Sequence, residues 1–345
     1  MIRRNRTVSA ARKSAIAAGV AAFVAAGLGP AAAQTAEIKM AFFASPKHHV
    51  WDKFMEPWGK SLEGAGVGLK VLGFPGSQIG GAPPGAFKRV VNGIADVEFG
   101  LQGYTSTVFP KTMVAEIPMQ FETAEEATRG LWRILDTHLK DEYARVKVLA
   151  LWATDMPVLM TNKTVRTPED LAGVKLRTPS HEQAEIIKGL GAIPVAMPMP
   201  ATYQAIEKGV VDGALVGISV VKSFKLAEVV KHYVDGLPMG FSPQMVVMNL
   251  DKYNSLTAEQ KAAVDARSGL DWSLKAAKLY EEARAEGLKL VKEGTDTTLT
   301  VLTPEQRKAW QSKFEAIRAD WVTRNEAAGI KGYSKILADY MGKAS

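Results

Sequence analysis

The sequence predicts an α/β protein of two lobes, joined by hinge strands and spanned by a long helix. Three observations carry that expectation. Segments of strand and helix periodicity alternate along 37–152 and again along 167–216, the pattern of βαβ units and a largely parallel sheet. About 310 residues follow a leader-like N-terminus, enough on the usual size relation for roughly two domains. A helical pattern then runs from Thr257 to about Glu293, and a straight helix of ~35 residues would reach ~50 Å, more than one lobe needs.

Taken in order, residues 1–33 read as a secretory signal peptide. Arg3, Arg4, Arg6, Arg12 and Lys13 form a positive leader without acids, 15–28 is apolar, and Ala31-Ala32-Ala33 offers a cleavage site before Gln34. The apolar run is too short and too rich in Ala to cross ~30 Å of hydrocarbon comfortably, so cleavage and a periplasmic location are expected in place of an anchor. Arg3-Arg4 leaves Sec and twin-arginine export both open. The leader also explains the basic pI. Five of the 43 Lys and Arg precede Gln34 and none of the 36 Asp and Glu does, which leaves 38 against 36, or +2. That balance gives no reason to expect nucleic acid as a partner. Cysteine is absent, so no disulfide staples the fold and no thiol can act as nucleophile, which suits an exported bacterial protein.

Residues 37–43 read as a strand, 50–62 as an amphipathic helix and 67–74 as a second strand. A turn-rich stretch follows at 75–81, then a helix at 87–92, a strand at 95–101, a helix at 125–139 and a strand at 146–152. The second unit opens at Thr167-Pro168-Glu169-Asp170, with Thr167 as N-cap, Pro168 at the first helical position and Asp170 at the capping-box position. It continues as a strand at 174–178, a helix at 180–190 ended by Gly191, an extended stretch at 192–197, a helix at 200–209 and a strand at 213–216. Residues 245–249 form a strand before the long helix, Thr303-Pro304-Glu305 caps a further helix, and short amphipathic segments close the chain. No repeat or low-complexity linker marks a boundary. The expected division is 34–155 with about 241–285 in the first lobe, and 156–240 with about 286–345 in the second.

Arg177 is the leading site candidate. It ends a short strand before Thr178-Pro179, and open α/β sheets bind ligands beyond the carboxyl ends of their strands. Its guanidinium offers a planar, permanently charged fork to a carboxylate. The other strand ends supply Phe43, Ala44, Ser45, His48 and His49 after the first strand, Gln102, Gly103 and Tyr104 after the third, and Trp152 at the end of the fourth, with Phe241 further on. An amide, a phenol and an indole could fix and stack a ligand. The Gly-rich stretch 73–85 lacks the Gly-Lys-Ser/Thr ending of a phosphate loop. His48-His49 is too closely spaced for an i, i+4 metal pair, and neither a cofactor nor a metal is expected. No Ser-His-Asp or paired-carboxylate arrangement stands out, so no catalytic residue is expected.

The run Leu171-Ala172-Gly173-Val174-Lys175-Leu176-Arg177-Thr178-Pro179, continued by Leu190-Gly191-Ala192-Ile193-Pro194-Val195, Tyr203-Gln204-Ala205-Ile206 and Gly209-Val210-Val211-Asp212-Gly213, resembles the DctP family of TRAP-transporter solute-binding subunits. Phe74-Pro75-Gly76-Ser77-Gln78-Ile79-Gly80, Asn92-Gly93-Ile94-Ala95-Asp96 and Ile117-Pro118-Met119-Gln120-Phe121 extend the resemblance over most of the mature chain. It implies a periplasmic-binding-protein-like fold and an Arg177 that clamps a ligand carboxylate on lobe closure. It implies delivery to the membrane permease subunits of an ion-driven transporter.

The departures bear on the ligand. The family's usual Glu-Asn pair after Val-Asp-Gly is Leu215 and Val216 here; its Phe and Glu before the Tyr203 helix are Met199 and Ala201; and Val158 stands where the family often has a second Arg. The site thus exchanges polar partners for apolar ones, which points to a monocarboxylate with an apolar or aromatic body. A monomer is expected. Two other readings stay open: a sensor subunit that presents ligand to a receptor, and an enzyme acting on an organic acid with His48, His49 or Asp155 as base.

Overall fold

The computed structural model describes Met1 and residues 35–343, so the signal peptide expected over 1–33 lies, Met1 apart, outside the described residues. The chain begins with β1 (Ala36–Ala41), α1 (Glu56–Glu63), β2 (Leu69–Phe74), α2 (Ala86–Val91), β3 (Val97–Leu101), α3 (Ala124–Ile134) and β4 (Val146–Ala153). It continues through β5 (Pro157–Thr161), β6 (Lys175–Thr178), α4 (His181–Gly189), β7 (Ile193–Ala196), α5 (Thr202–Glu207), β8 (Gly213–Gly217) and β9 (His232–Asp235). The last part holds β10 (Pro243–Asn249), α6 (Leu250–Ser255), α7 (Ala258–Asp265), α8 (Leu270–Glu293), β11 (Thr298–Val301), α9 (Pro304–Ala327) and α10 (Tyr333–Tyr340).

These elements form two α/β lobes, each around one sheet. The first sheet has the order β2-β1-β3-β10-β4 and the second β11-β9-β5-β8-β6-β7. The βαβ units give the parallel pairs, β1 with β2 and β3, and β6 with β7 and β8. Both sheets are mixed, however, and not largely parallel as the alternation suggests. β10 runs antiparallel to β3 and β4, and β5 antiparallel to β8 and β9. The reason is topological. The chain enters β5 and β10 from the opposite lobe, so no helical crossover within one sheet fixes their direction. The two crossings lie side by side, with the Thr154 N–H donating to the Ser242 carbonyl at 3.1 Å.

Local chemistry explains the helix boundaries. Thr123 caps α3 in a capping box with Glu126, and Thr303 caps α9 with Gln306. The first helix starts as a π-helical turn over Trp51–Met55, just ahead of Pro57, whose missing N–H rules out a regular bond to the preceding turn. The pattern that reads as one helix from Thr257 is in fact broken. α7 ends at Asp265, and Gly269, at φ 92°, starts α8 while its N–H bonds the Leu149 carbonyl. α8 still reaches across both lobes, packing on α3 and β4 on one side and on the 218–220 turn and β11 on the other. Its 24 residues make it about 36 Å long.

Candidate ligand-binding site

Between the sheets lies a cleft that encloses, with the solvent at its mouth, ≈ 540 Å³ of empty space. Both lobes wall it. Phe43, Phe99 and Tyr104 come from the first, Arg177, Met199 and Val216 from the second, and Ser242 and Gln244 from the crossing strand. Arg177 is 1% exposed, so its charge is almost wholly removed from water. Its Nε donates to the Met197 carbonyl at 2.9 Å, and one Nη meets the Tyr104 hydroxyl at 3.5 Å. Among the described residues it forms no salt bridge. Burial presses its pKa down from the ordinary arginine value, while Tyr104 and Glu116 push the other way. A guanidinium normally stays charged even then. The cleft therefore holds a buried guanidinium that no carboxylate among the described residues pairs with directly.

Tyr104 joins the lobes. Its hydroxyl accepts the Met199 N–H at 2.9 Å besides facing Arg177. Glu116 makes a second link behind the cleft wall. Its carboxyl oxygens accept from Ser180 Oγ at 2.7 Å and Ser242 Oγ at 3.1 Å. Burial, with Glu182 nearby, raises its pKa to about 8; the serine hydrogen bonds and Arg177 oppose the rise. Asp155 belongs to the other end of the cleft. Arg177 is level with Ala214 on β8, whereas Pro157 is level with Gly217, three residues or roughly 10 Å further along. The Asp155 carboxylate accepts from Ser219 Oγ at 2.6 Å and Ser219 N–H at 3.1 Å. It presses so closely on Gly217 that a Cβ there would collide with Oδ1. Burial raises its pKa to about 6, and the Ser219 bonds and Arg284 hold it from rising further.

Of the residues expected at the site, Arg177, Tyr104, Phe43, Met199 and Val216 come together around this cleft. Four do not reach its wall. Trp152 lies a layer behind, its ring 5.8 Å from Phe99 and 6.4 Å from Tyr280. Gln102 is buried with its Nε2 donating to the Tyr143 hydroxyl. Phe241 is core, its N–H bonded to the Ala115 carbonyl. His49 faces a separate depression beside Lys53 and Glu286, and His48 takes the place on the cleft. Both rings are held below the ordinary histidine pKa, chiefly by burial, His49 at about 4. The strand-end rule also misses Gln183, Ser219, Gln244 and Tyr280, which line the cleft. Gln183 could have been found, since it opens the helix that follows Arg177; Tyr280 sits mid-helix, where nothing local marks it.

The profile of the DctP family, described as bacterial extracellular solute-binding protein, family 7, matches residues 41–325. The chain belongs to this family. It is a TRAP solute-binding protein, a class that binds small molecules and works with membrane permease components. Among its relatives is the C4-dicarboxylate-binding periplasmic protein DctP of Rhodobacter capsulatus, 27% identical over 55% of this chain and 57% of that one. Two solved structures are similar over nearly their whole length. A TRAP solute-binding protein from Rhodoferax ferrireducens, in complex with copurified benzoate, has a TM-score of 0.85 at 26% identity, covering 89% of this chain and 97% of that one. A marine-metagenome TRAP protein specific for aromatic acid ligands, with 3-hydroxybenzoate, has a TM-score of 0.85 at 28% identity, covering 90% and 98%.

Proposed function

We propose that this protein is a periplasmic subunit that captures an organic acid, a monocarboxylate with an apolar or aromatic body, and delivers it to a TRAP-type secondary transporter. The observation that carries this reading is Arg177, buried in the cleft with no salt bridge to a carboxylate among the described residues. A desolvated guanidinium binds a ligand carboxylate in a bidentate pair, which fixes orientation as well as affinity. Phe43, Phe99, Met199, Leu215 and Val216 leave the ligand's body an apolar bed. Asp155 at the far end argues against a second ligand carboxylate, because two buried like charges without a cation between them are costly. The aromatic acids held by the two similar structures support the same reading.

In this reading the lobes are 34–155 with about 241–285, and 156–240 with about 286–345; the membership of the two sheets supports this up to β11, whereas α10 packs back on α3 of the first lobe. The chain acts as a monomer after the signal peptide is cleaved near Ala33. Binding alone suffices for the role. Of the candidate bases, His48 Nδ1 accepts from the Val50 N–H and Asp155 from Ser219, and His49 faces a depression apart from the cleft, which favours a binding protein over an enzyme. The test is calorimetry with benzoate and succinate. Wild type should bind benzoate at least ~100-fold more tightly, since an unpaired buried charge costs several kcal/mol. Arg177→Ala should lose benzoate binding while keeping its circular dichroism; wild-type affinity in that variant would defeat the reading.

A further inference from the structure

Glu116 stands behind the cleft wall, 3% exposed, between two hydroxyls. Ser180 Oγ, which caps α4, lies 2.7 Å from one carboxyl oxygen, and Ser242 Oγ, where the chain crosses into β10, lies 3.1 Å from the other. Among the described residues no Lys, Arg or His forms a salt bridge with it. The Gly240 backbone packs so tightly on that of Glu116 that a Cβ there would collide. Such a place favours the neutral carboxyl, since burial penalises the charge while hydroxyls can serve either form. The proton itself has a partner. Ser180 Oγ already accepts the Gln183 N–H at 2.9 Å, whereas no other donor reaches Ser242 Oγ among the described residues, so a protonated Glu116 can donate to it.

Two charges act on this carboxyl from the elements packed around it. Arg177 on β6 favours its ionised form and Glu182 on α4 its neutral one, which with burial places its pKa at about 8. The other titratable groups are phenols or face away. α10 brings Tyr333 and the 102–105 turn brings Tyr104. β10 has no titratable side chain, and the charged residues of α3 are exposed, as is His181 of α4. Glu185 of α4 pairs with Lys188, and Asp339 of α10 with Lys335.

Arg177 is the group through which Glu116 would feel a ligand. A carboxylate seated on it offsets the one charge that favours ionised Glu116 and adds a negative charge at the same end of the cleft. Ligand thus favours the neutral carboxyl, and by reciprocity the neutral carboxyl favours ligand.

We propose that this protein takes up a proton with its ligand anion, and that Glu116 holds that proton. This deepens the proposed function and rests on its reading of Arg177. Below the pH at which Glu116 titrates, the proton is already in place. As the pH rises through that interval the proton must come from water, and affinity falls. Asp155, at about 6, and His48, held below the ordinary histidine value by burial, titrate lower and leave the interval clear.

The test is calorimetry of benzoate binding in two buffers that differ in heat of ionisation. Wild type should take up a fraction of a proton per benzoate near pH 8, seen as heats that differ between the buffers. It should bind at least ~3-fold more weakly at about pH 9 than at about pH 7, the part of a usual coupling between sites that this range reveals. Glu116→Gln, which cannot ionise, should show neither effect. Glu182→Gln removes the opposing like charge and should move both effects to lower pH, a check that stands even if the first variant does not fold. Equal heats with a flat affinity in wild type, uptake that survives Glu116→Gln, or an interval unmoved in Glu182→Gln would each overturn the inference and leave the carboxylate clamp standing. Benzoate bound by Arg177→Ala as by wild type, or left unbound by wild type at every pH, would overturn the clamp and this inference with it.

Discussion

Glu116 and Arg177 are buried close together, and each influences the other's charge. Because the folded carboxyl titrates at about 8 against an ordinary 4.5, the folded state holds a proton that the unfolded chain gives up over that interval. Its contribution to stability is therefore complete below pH 4.5 and is lost as the pH rises through about 8. Glu116→Gln mimics the protonated form. Relative to that variant, wild type should lose stability with rising pH, at a slope of at most about 1.4 kcal/mol per pH unit, one proton's worth. Parallel denaturation profiles would refute this. At Arg177, Lys keeps the charge but not the planar fork, so Arg177→Lys should cost at least ~10-fold in affinity for the acid, read by calorimetry. The sequence marks Arg177 because a strand end, a Pro and a helix cap surround it. It does not mark Glu116, which sits in a 3₁₀ turn, Thr112–Glu116, with no periodicity to say which side chains turn inward. Trp152 and Gln102 show the matching error. A strand end puts a residue near the cleft, but whether it faces the cavity or the layer behind depends on packing that no local pattern records.

The helices were legible mainly through their ends. Thr167, Thr257 and Thr303 read as helix starts, and each makes a capping box, with Asp170, Gln260 and Gln306, although Thr167 opens only the short 3₁₀ turn Pro168–Leu171. Three short strands were not. β9 and β11 have four residues each, and β5 has five, close behind the hinge, where no strand is expected from the sequence. So few positions cannot show an alternation. The break between α7 and α8 was hidden for a related reason, since the apolar spacing carries on through it while the backbone turns at Gly269. That glycine has φ 92° and ψ −163°, a region that side chains bearing a Cβ avoid. Gly269→Ala should therefore destabilise the protein by about 1–3 kcal/mol in urea titration with the ligand affinity little changed. An unchanged midpoint would mean the backbone can relax there at no cost.

On the scale of the molecule, the two lobes meet through a few polar clasps around the cleft. Losing the Tyr104 hydroxyl orphans the Met199 N–H and removes a partner of Arg177. Tyr104→Phe should thus weaken acid binding by roughly 10-fold through a less stable closed form, about the worth of one buried hydrogen bond. Small-angle scattering should show wild type contracting when benzoate is added and Tyr104→Phe contracting less at equal ligand concentration. Equal contraction and affinity would remove the hydroxyl from the closing mechanism. The two-lobed organisation itself was legible from βαβ alternation and chain length, whereas the antiparallel strands that join the lobes follow from where the chain crosses, which composition does not reveal. That crossing also sets a timetable. In the first sheet β10 is wedged between β3 and β4, so β4 has no neighbour until residues 243–249 have been made. A growing chain must keep the exposed edge of its N-terminal half unpaired while the whole of the other sheet except β11 is synthesised, an interval in which helper proteins that shield nascent strands have the most to offer.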